Sequence, residues 1–161
     1  MGEADAKREF LRHALATVAY RGGKAVRGAP PTFAEFRAAQ TSRTPAQILA
    51  HLGDLLDWAL SIAVGNEAWH NSKPQSWEDA VHRFFTTLQN FDDYLASAER
   101  LHAPAERLFQ GPIADALTHV GQIAMLRRLA DAPIRGENYS AADIRAGRVG
   151  PDQAAAKREF E

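Results

Sequence analysis

The sequence predicts an all-α fold, a bundle of four long helices in one domain spanning 1–161. Three observations carry this expectation. Apolar residues recur every three or four positions in four separate stretches, and Ser or Thr stands ahead of two of them and of two shorter segments, where a helix needs its first amides satisfied. No stretch alternates polar and apolar residues as a half-buried strand does.

The first helix is expected over about 3–21, where Phe10, Leu11, Ala14, Leu15 and Val18 share a face and the pair Gly22-Gly23 favours termination. A connection of about twenty residues follows, long enough to cross the end of a bundle, so consecutive helices need not be neighbours. Within it Ala29-Pro30-Pro31 breaks the chain, and Thr32 with Glu35 predicts a short helix from Phe33 to Ala39. The second helix, 45–65, opens with Thr44, a proline at the first helical position and Gln47 placed to reach back to the cap. Its apolar arc, including Ile48, Leu52, Leu55, Trp58 and Ile62, is wide. Its polar strip of Asp54, Asp57 and Ser61 is narrow, so the helix is expected to be mostly buried.

The third helix, 76–100, starts at Ser76 with Asp79 three residues on. It sets Trp77, Val81, Phe84, Phe85, Leu88, Phe91 and Leu95 on one side, with Glu78, His82, Arg83 and Gln89 on the wet side. The fourth, 112–131, follows Gly111-Pro112 and ends before Pro133. Ser140 with Asp143 predicts a brief helix, and 141–161 is expected to form a short C-terminal helical extension with little to bury. Ala-Lys-Arg-Glu-Phe occurs at 6–10 and again at 156–160, too short a match to define a repeat.

Composition narrows the function. A chain of 161 residues, 45% of them hydrophobic, supports one core, and the formal charge of −1 has its Lys and Arg dispersed among acids. This argues against a nucleic-acid partner. No apolar run is expected to reach bilayer-spanning length, and Met1-Gly2-Glu3 opens a polar helix, not a signal peptide, so a cytoplasmic protein without a membrane partner is expected. There is no cysteine. Disulfides, thiolate ligands and cysteine nucleophiles are thereby excluded together, and any thiol chemistry must take its sulfur from a small molecule.

Asp115 and His119 stand four residues apart in a segment expected to be a buried helix, and at that spacing both side chains reach one point without bending the backbone. His51, which interrupts the apolar stripe of the second helix, is the third candidate ligand. Two readings remain open at this stage. The three groups hold a metal ion, or Asp115 and His119 form a local pair and His51 donates to a backbone carbonyl. His82 falls on a polar face, His70 and His102 in or near loops and His13 beside the apolar stripe of the first helix, and all four are expected to be solvated or packed without a functional role.

The stretch Leu49-Ala-His51-Leu-Gly-Asp54-Leu-Leu-Asp57-Trp58, the later His119-Val-Gly-Gln122-Ile and the ending Ala132-Pro133 with Glu137-Asn138-Tyr139 together resemble the DinB/YfiT-like superfamily. The likeness runs from Leu11 through Gly150. It implies a four-helix bundle with one crossover connection, between helices 1 and 2, and a divalent metal held by three side chains from two helices. His51 and His119 match that pattern, whereas Asp115 stands where the family has histidine. The donor set leaves nickel, zinc, iron and manganese all open.

The resemblance further implies a metal-dependent hydrolase or a transferase using a low-molecular-weight thiol on a small-molecule electrophile. Gln122, one turn after His119, and Asp54, one turn after His51, are spaced either to orient the ligands or to serve as ordinary structural hydrogen bonders. No residue stands out as a general acid or base. A non-catalytic helical binding protein with a degenerate metal site is the alternative, and a small-molecule sensor a third. A homodimer is expected from the fourth helix, which carries Ile113, Leu117, Val120 and Ala124 on one side and Leu126 and Leu129 on another.

Overall fold

The computed structural model of the chain describes residues 2–161. The elements run α1 (Glu3–Val26), a 3-10 turn (Phe33–Glu35), α2 (Pro45–Val64), α3 (Trp77–Ala96), α4 (Ala105–Leu108), a π-helical segment (Phe109–Ile113), α5 (Ala114–Leu129), β1 (Gly136–Glu137), a second 3-10 turn (Tyr139–Ala141) and β2 (Glu159–Phe160). α4, the π segment and α5 run on as the fourth long helix. α1 lies against α3 and α5, and α2 lies against the same two, so α1 and α2 occupy opposite corners of the bundle. The connection between them therefore crosses one end, as its length permits. The link from α3 to the fourth helix also joins elements that are not close neighbours, a second crossing that the resemblance did not imply.

The core is a single cluster drawn from all four helices, with Leu15, Leu49, Leu56, Phe84, Phe91 and Ile113 among its fully buried side chains. α2 is its central element. Thr44 caps it in both directions, accepting from Gln47 N at 3.2 Å while its own amide donates to Gln47 Oε1 at 2.9 Å, and Gly65 closes it at φ 85°. By length and composition this helix is apolar enough to cross a membrane, contrary to the expectation that no run reached that size, but 61% of the span is buried inside the bundle.

Several boundaries differ from expectation for tertiary reasons. α1 continues to Val26 through the glycine pair, because Gly22 serves packing instead of termination. A Cβ there would lie 2.5 Å from Phe84 Cζ, so the missing side chain is what lets α3 approach. Phe84 is fully buried and has no room to retreat, so Gly22→Ala is expected to destabilise by about 1–3 kcal/mol in denaturant titration. Gly121→Ala, where nothing lies within 4 Å, is expected to stabilise by about 0.5–1 kcal/mol in the same assay.

The first 3-10 turn stops at Glu35 rather than Ala39, and the Thr32 side chain makes no cap bond. α3 ends at Ala96 rather than 100, where Arg8 Nη1 of α1 draws the carbonyls of Leu95 and Ser97 to 3.1 Å each.

The fourth helix starts earlier than 112 because Pro112 does not end it. Proline has no amide hydrogen, and the chain absorbs the lost bond by widening locally into a π turn, in which Ala114 N donates to Phe109 O. The helical C-terminal extension expected over 141–161 is absent. Residues beyond the Tyr139–Ala141 turn run irregularly, and Glu159–Phe160 pairs antiparallel with Gly136–Glu137, a strand pair that the pattern of residues did not announce. Asn138 rather than Ser140 caps the second 3-10 turn, accepting from Ser140 N at 3.1 Å. The extended tail is held by Lys24, which bridges Glu137 and Glu159, and by Val149, which is fully buried.

Candidate metal centre

α2 and α5 lie side by side, and His51, Asp115 and His119 meet at their seam. His51 Nε2 is 3.9 Å from Asp115 Oδ2, His119 Nε2 is 3.5 Å from Asp115 Oδ1, and the two imidazole rings are 4.7 Å apart at 89°. One donor atom from each of the three lies within 4.8 Å of the other two. A tetrahedral cation with bonds of about 2.1 Å needs its donors roughly 3.4 Å apart. The His119–Asp115 separation of 3.5 Å meets that spacing, while His51, 3.9 Å from the other carboxylate oxygen in a group whose donors lie within 4.8 Å of one another, must move closer by side-chain rotation. The donor set, two imidazoles and one carboxylate, suits a divalent transition metal.

The segment is less buried than its sequence suggested. His51 and His119 side chains retain 20% and 12% of their exposure, while Asp115 retains 47% and faces solvent. Ligands at such a seam leave coordination positions open to the outside, as catalytic metal sites do and structural ones do not. Burial is the main force pushing the His51 pKa below its ordinary value, and the neighbouring His119 and Arg43 push the same way against Asp115 and Asp54. The imidazole is therefore kept neutral at neutral pH, the form that has a lone pair to give.

Gln122 takes the position expected of it. Its Oε1 is 2.7 Å from His119 Nδ1, so that nitrogen carries the proton and Nε2 is left to face Asp115 and His51. Asp54 does not orient a ligand. It is buried and accepts from Arg83 Nη2 at 2.8 Å, Ser72 N at 2.9 Å and Ser72 Oγ at 2.6 Å, fastening α3 and the α2–α3 loop to α2. Arg83, expected on the wet side, reaches across α2 to Asp57 as well, and Gly53 makes room for it, since a Cβ there would lie 2.8 Å from Arg83 Nη1. His13, His70, His82 and His102 are exposed, the solvated of the two outcomes left open for them.

Spacing alone did not reveal two further features. The fastened loop carries Trp69, whose ring stands edge-on to His51 at 5.5 Å and to Trp58 at 5.8 Å, forming an aromatic wall on one side of the site. On the other side a cleft of ≈ 560 Å³ opens between Ile48, Leu126 and Met125, with Arg43 at its edge. Trp69 lies in a loop without periodicity and Arg43 precedes a cap, so neither carried a positional signal. The apolar breadth of the fourth helix, which suggested a dimer, is largely burial: Ile113, Val120 and Leu126 belong to the core, and Leu129 is exposed.

No family model, curated protein or solved structure matches the chain. Among the described residues, the only group of three or more His, Asp or Glu side chains placed to hold a cation is His51, Asp115 and His119.

Proposed function

We propose that the chain is a DinB/YfiT-like metal-binding protein in which His51, Asp115 and His119 hold one divalent cation, and that the site acts on a small electrophile with water or a low-molecular-weight thiol as nucleophile. The convergence of three donors from two helices, within 4.8 Å of one another at the mouth of a cleft, supports this reading. A divalent cation at that point supplies Lewis acidity, lowering the pKa of a water or thiol so that the nucleophile exists at neutral pH. Gln122 fixes the tautomer of His119, Asp115 contributes the one negative charge among the three donors, and Trp69 shields His51 from bulk water on one side. The chain has no sulfur nucleophile of its own, so a thiol would arrive as a second substrate.

One observation favours a second reading, a non-catalytic binding module with a degenerate site. The Asp115 side chain is 47% exposed, so its carboxylate is hydrated by solvent without any cation. A panel of small thiols and electrophiles assayed with zinc-, nickel- and manganese-loaded protein separates the two. Metal-dependent turnover that falls at least about 100-fold in His51→Ala and in His119→Ala is expected for a site that works through its ligands. Turnover unchanged in His119→Ala, with thermal stability lowered, would instead assign the histidine a structural role.

A further inference from the structure

The cleft beside the two imidazoles combines surfaces that select a ligand by both charge and shape. Its apolar side is made by Ile48, Leu126 and Met125, and the Met125 side chain is 58% exposed, a large apolar group left facing water at the rim. The one charged side chain lining the cleft is Arg43, in the turn just ahead of the Thr44 cap of α2. Arg12 and Arg83 are engaged on carboxylates and Arg127 on carbonyls, and of the arginines without such a partner Arg43 is the one that lines this cleft. Among the described residues nothing accepts a hydrogen bond from Arg43, so its fork of donors is free for a ligand. The cleft volume falls in the range that holds a small organic molecule, about 300–1,000 Å³.

We propose that Arg43 is the specificity-determining residue of this cleft and that the ligand is a small organic monocarboxylate, its carboxylate on the Arg43 guanidinium and its apolar chain along Met125 and Leu126. This rests on the reading of the neighbouring site as the place where a small molecule is bound, but not on which metal is there. A planar carboxylate matches the guanidinium fork with two parallel hydrogen bonds. Among the described residues no second arginine or lysine lines the cleft to hold a further anionic group, and the remaining lining away from the imidazoles is mostly apolar or neutral. Arg43, His51 and His119 line the same cleft, so a carboxylate held on the guanidinium shares that cleft with the imidazoles. Opposite charge on Arg43 and apolar surface on Met125 together favour an anion with a hydrocarbon body over a neutral or wholly polar molecule.

NMR shift titration tests this with hexanoate and its uncharged analogue hexanamide, on zinc-loaded and zinc-free protein, in the wild type and in Arg43→Ala. The wild type is expected to bind hexanoate about tenfold more tightly than hexanamide, and acetate more weakly still, by about threefold per methylene removed. Arg43→Ala is expected to abolish the preference for hexanoate while leaving hexanamide binding in place. Zinc affinity in that variant should hold or tighten, because a repelling positive charge has been removed.

Equal affinity for hexanoate and hexanamide in the wild type, or a preference that survives Arg43→Ala, overturns the assignment. A preference that survives Arg43→Ala but disappears without zinc shows that the metal alone holds the carboxylate, and also overturns it. A protein that takes up no zinc yet keeps an Arg43-dependent preference supports the carboxylate site and contradicts the metal reading. Failure of one therefore does not imitate failure of the other.

Discussion

Arg127→Ala is expected to lower the unfolding free energy by about 3–5 kcal/mol, equivalent to a fall in Tm of roughly 10 °C for a domain of this size. The side chain is 5% exposed and has no carboxylate partner among the described residues. Its charge is instead met by backbone carbonyls: Nε donates to Ala132 O at 2.7 Å, Nη1 to Ala25 O at 3.1 Å and Arg27 O at 2.9 Å, and Nη2 to Gly28 O at 3.3 Å. Three of those acceptors lie at the end of α1, where the last carbonyls of a helix have no amide to bond and the helix dipole is negative. Arg127 thus ties the end of α1 to the end of α5 and holds the chain as it turns into the crossover. The guanidinium also stands over Phe33, 5.6 Å from the ring centroid, which anchors the 3-10 turn of that connection. Removal leaves several carbonyls facing an apolar surround, each costing about 1–3 kcal/mol where water cannot reach. Arg127→Lys is expected to recover little, because one ammonium cannot span four carbonyls set around a fork.

Glu137→Ala is expected to cost a similar amount, about 3–5 kcal/mol, and to release the C-terminal tail. The Glu137 side chain is fully buried, accepting from Tyr20 Oη at 2.6 Å and from Lys24 Nζ at 2.7 Å, and Lys24 continues to Glu159 at 2.8 Å. α1 is thereby bonded to β1 and β2 at once. Deleting the carboxylate strands a buried hydroxyl and leaves a mostly buried ammonium with Glu159 as its one remaining partner, and hydrogen exchange at Glu159 and Phe160 is expected to accelerate in step with the loss of stability.

The same network has a pH signature. Burial first, and the bond to Glu137 second, raise the Tyr20 pKa well above the ordinary phenol range. Burial pushes Lys24 down, but its bonds to Glu137 and Glu159 outweigh this and hold it above its usual value. Both groups are thus protonated more tightly in the folded chain than in the unfolded one. Their contribution is complete below about pH 10, where the unfolded groups are still protonated, and is lost as pH rises through the folded values. An ultraviolet titration of the native protein is expected to leave one of the three tyrosines un-ionised until unfolding, and Glu137→Gln to lower that threshold.

What was legible in the chain was local chemistry. Thr44, Pro45 and Gln47 specify the start of α2 through their own side chains and backbone, and the structure shows both bonds of that cap. The apolar period of α3 survives, with Phe84, Phe85, Leu88, Phe91 and Leu95 all buried as their spacing sets them. The i, i+4 relation of Asp115 and His119 is likewise a property of one helix, and it brought the pair together. His51 depended on a tertiary fact, the adjacency of α2 and α5. It was found only because an imidazole among leucines has few ways to be satisfied.

The misread features all depend on distant partners. Gly22-Gly23 is a stop signal in isolation and a packing groove when Phe84 lies across it. Pro112 is a helix breaker unless the helix can widen, as it does between Phe109 and Ile113. The tail from Arg145 onward looked helical because its residues favour helix, whereas Lys24 and Glu137, far away in sequence, hold it extended. Asp54 and Arg83 were expected on polar strips, yet they meet each other at the α2–α3 contact, where a buried pair replaces two solvated ones.

The central claim is that His51, Asp115 and His119 act together on one cation. Equilibrium dialysis against zinc, followed by elemental analysis, measures this directly in the wild type, His51→Ala and His119→Ala. One zinc per chain in the wild type and far less than one in each variant is the expected result. Negligible zinc in the wild type, or the same uptake in all three proteins, would contradict it.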